Sequence, residues 1–250
     1  MTSAGQAVRP TAAPAPLARS AALFLDFDGT LAELAPSPGE VRVGADVIAL
    51  VGALQRHLDG ALAIVTGRRL GDLDRMLAPL RLPGAGLHGA ELRFADGAVA
   101  AAQPTAGAAR LAGQLRRRFG ADPRLLVEDK GAAVALHFRR APERADECLA
   151  AMRELAAGGG LELIGGKQVI EARPAGADKG HAVRELIARQ PFRGRAPVFV
   201  GDDATDEDGF AAVAAMGGYG VKVGAGETLA EFGCPSIADM LAWLSRSVVE

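Results

Sequence analysis

With 250 residues, 49% of them apolar, the chain is long enough for one large or two modest domains around a substantial core. A net charge of −2 and a pI of about 6.1 leave no basic footprint for nucleic acid, and no run reaches the ~18 apolar residues of a membrane span. Cys148 and Cys234 stand far apart, outside any C-x-x-C pair, so they read as buried free thiols rather than a metal or redox motif.

Met1 to Leu17 is rich in Ala and Pro, with a lone Arg9 and no continuous apolar stretch. It lacks the marks of a signal peptide, and residues 1–19 are expected to be a disordered tail of a cytoplasmic protein. The first strand is the apolar run Ala21 to Leu25, which ends directly in Asp26-Phe27-Asp28-Gly29-Thr30. From Ala45 to Leu58 the apolar residues Val47, Leu50, Val51, Leu54 and Leu58 fall on one helical face. A second strand, Ala61 to Val65, runs into Thr66-Gly67-Arg68, where a hydroxyl and backbone N–H groups at a helix entry suit phosphate oxygens, although a plain helix cap fits these residues too. Strand, helix and strand make a β-α-β unit, which forces parallel pairing and a right-handed crossover.

After Gly86-Leu87-His88-Gly89 the pattern changes. Asp96-Gly97 and Asp129-Lys130-Gly131 are hairpin signals within β-rich runs at Glu91 to Val99 and Leu125 to Phe138. Helical stretches near Thr105 to Phe119 and Pro142 to Ala157 precede Gly158-Gly159-Gly160, and a strand pair follows around Gly165-Gly166. Lys179 then opens the helical pattern Val183, Leu186, Ile187, and the strand Ala196 to Val200 ends in Gly201-Asp202-Asp203-Ala204-Thr205-Asp206-Glu207-Asp208. The expected architecture is α/β: a doubly wound parallel-sheet, Rossmann-like core (20–90 and 175–250) with an inserted α+β cap domain (91–174). Hinges are expected near Gly89 and Gly176.

Two strands ending in acids imply one site, because ligand crevices in open parallel sheets lie beyond the carboxyl ends of the strands. Clustered carboxylates suit a hard cation such as Mg²⁺. A calcium-binding EF-hand loop is excluded at both clusters: aligning Gly209 with its invariant glycine puts Ala204 and Ala215 at ligand positions, and aligning Gly29 puts Phe24 and Ala35 there. Like unit charges ~4 Å apart repel by about 4 kcal/mol at an effective dielectric near 20, so carboxylates meeting a phosphate ester need a metal ion and a cationic side chain. Of 28 Lys and Arg residues only Lys130, Lys167, Lys179 and Lys222 are lysines, and Lys179 sits at a helix start.

Strand-D-x-D-G-T, strand-T-G-R, a later lysine before a helix and strand-G-D-D-x-x-D occur in the order of the four motifs of the haloacid dehalogenase superfamily of phosphatases, which this chain resembles. Leu126-Val127-Glu128-Asp129-Lys130-Gly131, Ala135-Leu136-His137-Phe138-Arg139 and Val169-Ile170-Glu171-Ala172-Arg173-Pro174 lie between those motifs and resemble the trehalose-6-phosphate phosphatase family. That resemblance implies Asp26 as nucleophile, Asp28 as general acid and base, Thr66 on a phosphate oxygen and Lys179 neutralising charge. It further implies Mg²⁺ held by Asp26, the Asp28 backbone carbonyl and Asp202, with Asp203 and Asp206 supporting the ligands and Thr30 the loop. Glu128, Lys130, Glu171 and Arg139 would bind the sugar of a small-molecule sugar phosphate, with no nucleic acid or membrane partner. Glu128 and Lys130, two apart on a strand, share a face; His88 and His137 read as structural histidines. Hydrolysis of trehalose 6-phosphate in trehalose biosynthesis is the expected function. A phosphatase of another sugar phosphate, such as sucrose 6-phosphate, and a non-catalytic sugar-phosphate sensor stay open at this stage.

Overall fold

The computed structural model describes residues 10, 12–166 and 168–248. Its chain divides into two compact units. The first holds Val41–Val99 with the segments ending at Leu34 and beginning at Asp178; the second holds Ala35–Glu40 and Ala100–Ala177.

The first unit is built on one large sheet. Its strands are β1 (Ala21–Leu25), β2 (Leu62–Val65), β3 (Gly84–Gly86), β4 (Glu91–Arg93) and β5 (Val99–Ala101), and beyond the second unit the chain adds three more. In the chain's own order those later elements of both units are β6 (Leu126–Asp129), β7 (Val134–His137), β8 (Leu161–Gly166), β9 (Val169–Pro174), β10 (Ala196–Gly201), β11 (Tyr219–Val223) and β12 (Phe232–Cys234). The helices are α1 (Ala45–His57), α2 (Leu70–Met76), α3 (Ala106–Phe119), α4 (Ala145–Ala156), α5 (Lys179–Ile187), α6 (Glu207–Ala215) and α7 (Ile237–Ser247).

The large sheet runs β12-β11-β10-β1-β2-β3-β4-β5, parallel from β12 to β3 and antiparallel where β4 joins β3. Strands β1, β2 and most of β10 are wholly buried and almost uniformly apolar, as a parallel sheet covered on both faces requires. Helix α1 turns Val47, Val51 and Leu54 inward, with Leu58 buried just beyond its end and Leu50 half-buried. The α/β reading is therefore correct.

Two expectations need amendment. Glu91 to Val99, expected in the insert, lies outside it: β4 pairs with β3 and extends the large sheet, so the hairpin at Asp96-Gly97 belongs to the first unit. The tail expected over residues 1–19 falls partly on residues 1–9 and 11, outside the described residues, yet its later part is anchored. Ala12 O accepts the Gly233 N–H, Ala15 O accepts the Trp243 indole N–H at 3.0 Å, and buried Leu17 donates its N–H to Ser247 Oγ at 2.8 Å.

The second unit is an antiparallel sheet, β6-β7-β9-β8, backed by α3 and α4. Val134, Leu136, Ile170 and Ala172 point to the helices and meet Leu111, Leu115, Phe119, Cys148 and Met152 in one apolar cluster. Helix α3 starts where Thr105 Oγ1 accepts the Ala108 N–H at 3.0 Å, an N-cap worth about 1 kcal/mol. The segment Ala35–Glu40 joins this unit through Arg139 Nη1 on Ala35 O at 2.5 Å and Arg140 on Glu40 at 2.6 Å. Gly176, with φ +76°, lies two residues before the chain re-enters the first unit, whereas Gly89, with φ +110°, lies inside the first unit.

Candidate active site

The acids converge because β1 and β10 are parallel neighbours in register. Leu25 lies opposite Val200, and Asp26 N–H extends the ladder to Val200 O at 2.9 Å, so Asp26 and Asp202 leave the sheet at the same edge. On the other side of β1, Leu25 pairs with Ile64, which brings Thr66 out at that edge too. After Asp26 the chain tightens at once, Phe27 O accepting the N–H groups of Leu31 and Ala32. Gly29 sits at φ +86°, and a Cβ there would overlap the Asp202 carboxylate. Glycine is what lets the two acidic loops touch.

Lys179 begins α5, where the Asp178 side chain caps the helix by accepting the His181 N–H at 2.6 Å. Its ammonium is buried and donates to Asp26 Oδ1 at 2.7 Å and to Asp206 Oδ1 at 2.6 Å. Asp206, fully buried, uses Oδ2 to accept the N–H groups of Asp202 and Asp203, both at 2.9 Å. The Asp203 side chain accepts the Ala204 N–H at 2.6 Å and also the Asp206 N–H, the latter completing a reciprocal cap on the turn Ala204–Asp206. Thr30 Oγ1 lies 3.4 Å from Asp26 Oδ2 and 3.3 Å from Asp202 Oδ1, bridging the two acids.

Two residues without an assigned role belong to this site, Lys222 and Arg68. Buried Lys222 on β11 donates Nζ to the Asp202 carbonyl oxygen. Arg68 grips Asp28 with two parallel bonds, Nε to Oδ2 and Nη2 to Oδ1, each 2.7 Å. Thr66 Oγ1 accepts the Arg68 N–H at 3.2 Å, while Thr66 O accepts the N–H of His88. Leu87 and His88 both hold left-handed backbone, at φ 50° and 54°, a strain of about 1–3 kcal/mol each that fixes the strand-to-turn path beside Thr66. Buried His88 packs so close to Gly67 that a Cβ there would collide with its ring, which suits a structural histidine.

Burial raises the Asp26 carboxyl well above the usual aspartate range; Asp206 and Asp202 add to the rise, and Lys179 opposes it. Burial pulls the Lys179 ammonium down, but Asp206 and Asp26 outweigh it and leave it more firmly protonated than an ordinary lysine. Carboxylate oxygens of Asp26, Asp202 and Asp206 come within 4.8 Å of one another. Against them stand Lys179 and, at a carbonyl, Lys222, so negative charge is in surplus. Hard oxygen donors with surplus charge fit a magnesium-like cation. Since both Asp206 oxygens are already engaged, Asp26 and Asp202 are the carboxylates suited to ligate it, with Asp206 holding them in place.

The expected sugar-binding residues all lie in the second unit. Glu128 on β6 takes His137 Nε2 at 2.8 Å, and Lys130 donates to Glu171 Oε2 at 2.5 Å with both groups buried. Glu128 and Glu171 each face Ala135 across the sheet, so the register puts them on one side of it. Arg139 is instead tied to the Ala35 carbonyl. The lysine rarity could have singled out Lys222; Arg68 stands in the T-G-R segment, but nothing in the sequence marks it as the partner of Asp28.

Comparison with known proteins agrees with this geometry. A family model described as trehalose-phosphatase matches residues 24–231. A trehalose-6-phosphate phosphatase of Escherichia coli (strain K12) is 40% identical over 225 residues, covering 89% of this chain and 85% of its own length. A Sinorhizobium fredii protein described as a probable trehalose-phosphate phosphatase is 45% identical over 206 residues, 81% of this chain and 77% of its own. Among solved structures, a trehalose-6-phosphate phosphatase related protein superposes with TM-score 0.76 at 28% identity, covering 91% of this chain and 96% of that one. A phosphatase of the haloalkanoate (HAD) superfamily from Bacteroides thetaiotaomicron shares the fold, with TM-score 0.62 at 18% identity. The chain therefore belongs to the trehalose-phosphatase family, enzymes of the phosphoric monoester hydrolase class.

Proposed function

We propose that the chain hydrolyses trehalose 6-phosphate to trehalose and inorganic phosphate by way of a phosphoryl group carried on Asp26. The observation that carries this reading is the buried Asp26–Lys179–Asp206 chain at 2.7 and 2.6 Å, with Asp202 and Thr30 closing on the same carboxylate. One Asp26 oxygen attacks phosphorus in line, and the bond from phosphorus to the sugar oxygen breaks. Asp28 gives that oxygen its proton. A water then attacks the aspartyl phosphate, Asp28 takes the water's proton, and phosphate leaves with the Asp26 carboxylate restored. Lys179 offsets charge on the nucleophile and the transferring group, Thr66 binds a phosphate oxygen, and phosphoryl transfer depends chiefly on such positioning and charge compensation. Asp26, Asp202 and the Asp28 carbonyl would hold Mg²⁺, which supplies positive charge between nucleophile and phosphate.

Arg68 adds a step for Asp28. The carboxyl gripped by two guanidinium bonds must exchange them for the sugar oxygen before it acts as acid, so Arg68 positions Asp28 between turnovers. In the second unit, Glu128, Lys130, Glu171 and Arg139 supply the sugar contacts, and this unit serves as the cap. No helix among the described residues is long and apolar enough to cross a membrane, and two buried free thiols suit the reducing cytoplasm we assign. The test is phosphate release from trehalose 6-phosphate, glucose 6-phosphate and sucrose 6-phosphate, with and without Mg²⁺. Mg²⁺-dependent preference for the first is expected; equal rates on all three would remove the substrate assignment.

A further inference from the structure

The face of the four-stranded sheet turned away from α3 and α4 carries one charged group that no other reading uses. Strand β9 alternates strictly: Ile170 and Ala172 enter the apolar cluster under α3 and α4, so Glu171 and Arg173 point to the opposite side. Glu128 shares that side, and Lys130 reaches it through its bond to Glu171. Arg173 is 7% exposed, and its Nε and Nη1 are buried with no hydrogen-bond partner among the described residues.

The two acids beside it in the sheet register, Glu162 and Glu171, are engaged elsewhere. Glu162 lies directly opposite Arg173 on β8, yet it is exposed and accepts the Gly176 N–H at 3.4 Å. Glu171, two residues away on the same strand, takes the Lys130 ammonium. A buried N–H left unpaired costs about 1–3 kcal/mol, and more on a charged group. Such a cost persists where a ligand supplies the missing acceptors.

The mix of groups says which kind of ligand. Glu128 and Glu171 stand on the same side of the sheet as Arg173 and the Lys130 ammonium, so the face offers both donors and acceptors. Hydroxyls both give and accept hydrogen bonds, whereas an anion would meet two carboxylates. The geometry points to Arg173 as a specificity-determining residue that donates Nε–H and Nη1–H to oxygens of the uncharged sugar. This inference rests on the trehalose 6-phosphate reading and deepens it.

The experiment compares wild type, Arg173→Gln and Arg173→Lys on trehalose 6-phosphate and on p-nitrophenyl phosphate, with free trehalose as inhibitor and ligand-free melting curves alongside. Hydrogen bonds to charged groups imply that Arg173→Gln loses about 10- to 100-fold in kcat/KM on the sugar phosphate, mostly through KM. Inhibition by trehalose weakens in parallel, p-nitrophenyl phosphate turnover stays within about twofold, and Arg173→Lys recovers part of the loss. The ligand-free melting temperature holds or rises in Arg173→Gln, because an unpaired buried charge has been removed. Equal losses on both substrates, or a lower melting temperature with trehalose inhibition unchanged, would overturn the assignment and make Arg173 a residue of the fold. Should wild type ignore trehalose 6-phosphate and trehalose but hydrolyse another sugar phosphate of the panel, the substrate reading falls, and the same comparison on that sugar decides Arg173.

Discussion

The two polar clusters of this molecule solve opposite problems. At the C-terminal edge of the parallel sheet, Asp26, Asp202 and Asp206 outnumber the ammoniums of Lys179 and Lys222, and the polar groups interlock at 2.6–2.9 Å around Asp206. On the antiparallel sheet of the second unit, acids and bases are mixed, and Arg173 keeps two buried N–H groups without a partner among the described residues. Surplus negative charge suits a cation and phosphoryl transfer. A face of mixed donors and acceptors with unspent donors suits a neutral polyol. On the proposed reading, chemistry and selectivity rest on different electrostatic designs in different parts of the chain.

The strongest way to break that division is to remove the nucleophile. Asp26→Asn keeps the side-chain shape but cannot attack phosphorus, so turnover of every phosphate ester should fall by at least about 10³-fold while the fold persists. Acid quench with labelled substrate should trap protein-bound phosphate in wild type and none in the variant. Turnover near wild type would take Asp26 out of the mechanism. Metal removal comes next. Chelation should abolish activity on sugar phosphates and p-nitrophenyl phosphate alike, and added Mg²⁺ should restore both and raise the melting temperature. Loss confined to the sugar phosphate would move the cation to the second unit.

Why the first cluster was legible and much of the second was not follows from how each is encoded. Asp26, Thr66 and Asp202 follow apolar runs, and parallel pairing brings such ends together whatever the intervening chain does. Arg68 shares the segment of Thr66, but its role, like those of Lys222 and Arg173, comes from a partner, or a missing partner, brought up by tertiary structure. Leu17 and the carbonyls of Ala12 and Ala15 dock through the backbone, which an Ala/Pro-rich composition conceals. The hairpin at Asp96-Gly97 was readable as a hairpin, but alternation does not say which sheet edge β4 will extend.

A substitution confined to the second cluster sharpens the comparison. Lys130→Ala should lower kcat/KM on trehalose 6-phosphate by about 10- to 100-fold and leave p-nitrophenyl phosphate nearly untouched. Part of its effect is indirect, since it strands the buried Glu171 carboxylate. Lys130→Ala with Glu171→Gln separates the two: recovered stability with persistent loss of sugar turnover assigns Lys130 to the substrate. Equal losses on both esters would instead tie it to the fold.

The smallest expected effect tests the charge surplus itself. The Asp26 carboxyl is raised by burial first and by Asp206 and Asp202 next, so without metal the folded chain holds this proton more tightly than the unfolded chain does. A group raised in this way contributes its full stability below the ordinary aspartate value of about 3.9 and loses it as pH climbs through the folded value. Asn at position 26 imitates the protonated form at every pH. In chelator, wild type should therefore fall progressively below Asp26→Asn in melting temperature as pH rises from about 4 toward neutrality. With Mg²⁺ the gap should close, because the cation binds the ionised carboxylate and reverses the sign of its contribution. Curves that stay parallel in chelator would mean that Lys179 already compensates Asp26 fully, and the electrostatic case for a cation at this edge of the sheet would then have to rest on Asp202 alone.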